Sequence, residues 1–105
     1  MLRIYPVCLQ MVRDVRPIAD QIARYDRDQA RQLRRSSMSV VLTVGEGSGS
    51  RGGRRRVRYD DALASAKETL TNLEASQAAG YIRTVEPVVR NRLNHIIGTL
   101  VNVLY

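Results

Sequence analysis

Val40-Val41-Leu42-Thr43-Val44, followed at once by Gly45-Glu46-Gly47-Ser48-Gly49-Ser50-Arg51-Gly52-Gly53, is the stretch on which the fold turns. Taken alone, the aliphatic run suits a buried strand as well as a buried helical segment. The residues before it lean to helix. Ala30, Leu33, Ser37, Val40, Val41 and Val44 recur at three- and four-residue intervals, the spacing of one helical face. Gly45, Gly47 and Gly49 then supply the backbone freedom that ends a helix. The pattern predicts a helix over 27–46, with Asp26 or Asp28 as its N-cap.

Upstream, Ile4, Val7, Cys8, Met11, Val15, Ile18 and Ile22 mark a first helix over 3–24. Pro17 inside it predicts a kink or a short interruption. Downstream, Ser48 to Gly53 reads as a Gly/Ser/Arg loop. Tyr59, Leu63, Ala66, Leu70, Leu73 and Gln77 then mark a third helix over 54–79, closed by Gly80. Val85, Val89, Leu93, Ile96, Leu100 and Val103 give a fourth over 84–103, with Pro87 in its first turn. Four helices on short connections predict an all-α, antiparallel up-down-up-down four-helix bundle, with residues 1–105 forming a single domain.

The 105 residues hold no Trp and no Phe, so the core must be aliphatic with five Tyr as its only aromatics. Cys8 is the only cysteine and His95 the only histidine, so neither an intrachain disulfide nor a zinc site can be assembled. Cys8, on an apolar stripe, reads as a small buried hydrophobe. No apolar stretch spans a bilayer and no signal-peptide pattern opens the chain, so the expected compartment is the cytoplasm, with no membrane partner.

Net charge is +7, and it is unevenly placed. Residues 48–58 carry Arg51, Arg54, Arg55, Arg56 and Arg58 with no acid. Such a block suits phosphate contacts, and guanidinium groups make those bidentately. Gly45–Gly53 lacks the spacing of a dinucleotide or Walker loop. Asp60 and Asp61 are adjacent and diverge on a helix, so they make no paired acid, and Arg56 stands four residues before Asp60 as a compensating pair. Glu46, at a helix C-terminus, needs a cation nearby; Arg34 or Arg35, of the same or a neighbouring chain, is the expected ion-pair partner. No catalytic constellation emerges, so the expectation is a non-enzyme with no cofactor, metal or small-molecule substrate.

Helix two is apolar nearly all round at Val40, Val41 and Val44, and helix four carries a second row at Val88, Ile97, Val101 and Leu104. One bundle core uses one stripe per helix, so these seven residues are the expected oligomer interface.

Gln32-Leu33-Arg34-Arg35-Ser36-Ser37-Met38-Ser39-Val40 and Val44-Gly45-Glu46-Gly47-Ser48-Gly49 resemble the second helix of the bacterial bundle proteins encoded in intervening sequences of 23S rRNA genes, the S23-type family. Tyr59 to Leu63, Leu73-Glu74 and Gly80-Tyr81-Ile82 are similar to its third helix and following turn, so the likeness covers about residues 26–82. Glu46 and Gly47 keep the family pattern; Val41, Thr43 and Gly45 stand where it has Pro, Asn and Ala. The resemblance implies that Val40–Val44 is helical and that the chain forms a homopentamer. It extends distantly to accessory bundle proteins of diversity-generating retroelements. With the arginine block, it implies binding of structured RNA, or of DNA, through Arg51, Arg54, Arg55, Arg56 and Arg58. The alternative is a structural or adaptor oligomer whose partners are proteins.

Overall fold

A computed structural model describes residues 2–105. Helices α1 (Tyr5–Ile22), α2 (Arg27–Ser48), α3 (Gly52–Ala78) and α4 (Pro87–Leu104) follow one another, with no strand among the described residues. The 27 residues of α3 span about 40 Å at 1.5 Å each, which sets the 42 Å long axis of the bundle. Val40–Val44 is helical, as the flanking periodicity predicts.

Each helix end has a local cause. Asp26 caps α2 by accepting a hydrogen bond from the Gln29 amide at 3.0 Å. Its other carboxylate oxygen accepts from the Tyr81 hydroxyl at 3.2 Å, and that bond holds the phenol pKa above its ordinary value. α3 ends in a Schellman turn: Gly80, at φ +82°, donates to Gln77, and the Tyr81 amide donates to the Ser76 carbonyl at 2.9 Å. Pro87 occupies the first turn of α4, where it costs no hydrogen bond. Residues 81–86 therefore precede the helix instead of opening it, and the buried Ile82 and Val85 tie that segment to the core. α1 runs through Pro17 without interruption, because Pro17 lies on the exposed face, where the carbonyl it leaves unpaired can be hydrated.

The core is aliphatic, built on Met11, Ile22, Leu33, Val40, Val44, Leu73, Leu93, Ile96 and Leu100. The seam between α2 and α3 is different. Thr69 donates to Ser36 Oγ at 2.9 Å, Ser39 and Ser65 pair their hydroxyls at 2.9 Å, and Asn72 donates to the Gln29 carbonyl at 3.2 Å. Ser76 in turn donates to Asn72 Oδ1 at 3.3 Å. Every buried side-chain polar atom among the described residues has a partner. Small hydroxyl side chains let the two helices approach closely. Gly47 of α2 faces Tyr59 of α3, and a Cβ there would lie 2.4 Å from the ring.

This packing revises the expected oligomer interface. Val40 and Val44 are wholly buried within the chain, and Val41 and Leu104 are nearly so. The apparent all-round apolarity of α2 is the consequence of its packing against both α1 and α3. Ile97 and Val101 are half-buried and pack on the core. Val88 is exposed but stands nine residues before Ile97, two and a half turns away, so it points to the opposite side of α4. The seven residues form no common outer face.

Cys8 is fully buried, and burial pushes its thiol up to about 11 from 9.0. The folded state thus favours the neutral thiol. The stabilisation is intact below the unfolded value near pH 9 and is lost as pH rises towards 11. Urea denaturation should show wild-type protein losing on the order of 2 kcal/mol more than Cys8→Ala between those limits. Parallel pH profiles of the two proteins would refute a buried, neutral Cys8.

Candidate nucleic-acid interface

One end of the bundle gathers the start of α1, the end of α2, the start of α3 and the end of α4. The arginine block falls there. α3 begins at Gly52, two residues before its expected start, so Arg54, Arg55, Arg56 and Arg58 sit on its first two turns and not on a loose loop. The connection shrinks to Gly49–Arg51, because α2 runs on to Ser48. Gly45 and Gly47 lie inside α2, and Gly52 takes the left-handed conformation at φ +55° that turns the chain into α3.

The local electrostatics are adverse. The N-terminus of a helix carries partial positive charge, and acids are favoured there. α3 instead has no acid in its first turn, no side-chain cap at Arg51, and four exposed arginines within two turns. Neighbouring helix ends relieve part of this. Arg56 Nη1 donates to the Leu104 carbonyl at 2.7 Å, and Arg55 Nε donates to the Ser50 carbonyl at 2.9 Å. Both acceptors are carbonyls at or beside helix ends.

Arg58 meets Glu46 at 3.1 Å and Asp61 at 3.7 Å. These corrected pairings follow from the fold. Arg34 and Arg35 lie about three turns from Glu46 along α2, or roughly 17 Å, so neither reaches it within the chain. Arg34 instead bridges to Asp20 of α1 at 2.7 Å, and no ion pair forms at Arg35 among the described residues. Arg56 turns to α4 and leaves Asp60 unpaired with it. The Glu46–Arg58 pair is about half exposed on both sides, so it is worth about 0–1 kcal/mol.

Among the described residues, Arg51 and Arg54 make no ion pair or side-chain hydrogen bond. Arg54 and Arg58 flank the exposed Val57 in a shallow groove with Ser50 and Gly53. The sequence reading missed an aromatic at this site. Tyr105 is 81% exposed, and the Arg56 guanidinium carbon lies 5.5 Å from its ring centroid. Forty-nine residues separate the two, so only the antiparallel return of α4 brings them together.

His95 lies exposed on α4, and no group of three His, Cys, Asp or Glu among the described residues is placed to hold a metal. No described helix is long and apolar enough to cross a membrane.

No protein-family model and no curated protein matches the chain. Among solved structures, a protein of unknown function from the S23 ribosomal protein family of Bacteroides thetaiotaomicron shares the fold. The TM-score is 0.84 at 19% identity, over 96% of this chain and 97% of that one. Nothing in these comparisons carries the distant similarity to retroelement accessory proteins.

Proposed function

We propose that this chain is a non-enzymatic, S23-type bundle protein that self-associates and binds structured RNA through the arginines at the start of α3. The single observation behind this reading is the construction of that helix start. Five arginines surround an uncapped N-terminus with no acid in the first turn. Folding alone favours the reverse arrangement, and a helix start of this kind costs stability. A phosphate backbone would reverse the sign of that cost, since free amides and guanidinium groups both favour an anion.

Self-association rests on a smaller patch than the sequence suggests. Met38 and Leu42, one turn apart on α2, are 45% and 55% exposed, and Met38 borders the half-buried Val12 of α1. A second copy is the occupant in this reading, and five copies is the number the family resemblance implies.

The test is RNA binding across a salt series. The affinity should fall steeply, by about 0.7–0.9 in log–log slope for each phosphate contacted. The double variant Arg51→Ala/Arg54→Ala, which breaks no ion pair or side-chain hydrogen bond among the described residues, should flatten the slope by about 1.5 and leave the oligomer unchanged. Absence of binding at low salt ends the nucleic-acid reading. A sedimentation mass that stays at the 11.8 kDa of one chain at high concentration ends the oligomer.

A further inference from the structure

We infer that the nucleic acid held at this end presents unpaired bases, and that Tyr105 is the platform on which one of them stacks. The inference rests on the nucleic-acid reading above and adds to it the kind of strand that is bound.

Three features of Tyr105 carry it. Among the described residues it is the most exposed large hydrophobic residue, at 81%, so it contributes little to the core. It is nevertheless fixed from behind. Its amide donates to the Val101 carbonyl at 2.8 Å, and the preceding Leu104 is buried, so the backbone that bears the ring belongs to a packed helix end. The Arg56 guanidinium, held by the Leu104 carbonyl at 2.7 Å, sits 5.5 Å from the ring centroid. A cation against one face of a tyrosine leaves the other face to water or to a second planar group. Arg54 and Arg55 stand on the same first turn of α3 as Arg56, so the phosphates next to a base on the ring would lie at the charged end of the bundle.

Aromatic and guanidinium planes are what proteins offer to splayed-out bases, and such stacking tolerates any base because each has a π-face. A duplex hides those faces, and its phosphates alone could reach the arginines. The site therefore distinguishes a single strand or loop from a helix by shape and not by sequence.

Fluorescence anisotropy on the full chain separates the possibilities, with two RNA probes of about 12 nucleotides, one an unstructured single strand and one a duplex. The single strand should bind about tenfold more tightly or better. Tyr105→Ala should weaken it about five- to a hundredfold while leaving the salt slope as it was, because no charge is removed. Tyr105→Phe should keep wild-type affinity, since the ring face remains. Circular dichroism should show both variants folded, given the exposure of the ring. Wild-type binding that is indifferent to Tyr105→Ala overturns the platform and leaves the arginine reading standing. Failure of the wild-type protein to bind either probe overturns both.

Discussion

Leu93→Ala is expected to destabilise the protein by about 3–4 kcal/mol. Leu93 is wholly buried near the middle of α4, with Val89, Ile96 and Leu100 on the same stripe. Truncation removes three carbons from a packed site, so the lost transfer free energy and the cavity both contribute. The rest of α4 is pinned on both sides, by the Arg92–Asp14 bridge to α1 and by Arg90–Glu74 and Arg56–Leu104 to α3, so little can collapse inward to refill the space. A chain of this size has a total stability of about 5–15 kcal/mol, and the loss lowers Tm by roughly 15 °C. Val88→Ala, one turn away on the exposed side, should change stability by no more than about 0.5 kcal/mol. Thermal melts of the two variants check the assignment. Equal effects would mean that α4 is not docked as described.

Gly47→Val is expected to cost about 3 kcal/mol, although replacing a glycine within a helix ordinarily stabilises. A Cβ at this position would lie 2.4 Å from Tyr59 Cε1 and 2.6 Å from Cδ1. The Tyr59 ring is 4% exposed, and its hydroxyl meets Ser48 Oγ at 3.4 Å, so it has nowhere to retreat. Placing Gly47→Val in a Tyr59→Ala background removes the obstacle, and the cost of the valine should largely vanish there. Gly98 provides the contrast. Nothing lies within 4 Å of its would-be Cβ, and Gly98→Ala should stabilise by about 0.5–1 kcal/mol. Urea midpoints of the four variants and the wild type give both signs.

These two residues also show how far the chain could be read before its structure. Leu93 declares itself, because aliphatic residues at helical spacing have only one economical use in a protein of this size. Gly47 does not. A glycine late in a helical pattern looks like a terminator, and only the position of Tyr59 on another helix reveals that it is a close-approach residue. Thr69, Asn72 and Ser76 were missed for a related reason. They interrupt the apolar stripe of α3, yet they are buried, because their hydrogen-bond partners come from α2.

The candidate site divides in the same way. The arginine block is visible as composition, and its charge needs no fold to be counted. What the composition hides is direction. Arg55 and Arg56 spend donors on carbonyls, Arg58 spends its own on Glu46 and Asp61, and Arg51 and Arg54 make no such contact among the described residues. The exposed tyrosine beside them belongs to the far end of the sequence, where local patterning has nothing to say about its neighbours.

The hydroxyl ladder between α2 and α3 has a consequence for motion. Two helices joined only by aliphatic ridges can slip past one another by a turn, since one greasy contact is much like the next. Ser36 on Thr69, Ser39 on Ser65 and Gln29 on Asn72 act instead like the teeth of a key. Any sliding strands every tooth at once, so the pair moves as one rod, and whatever grips its arginine tip grips the whole 42 Å length.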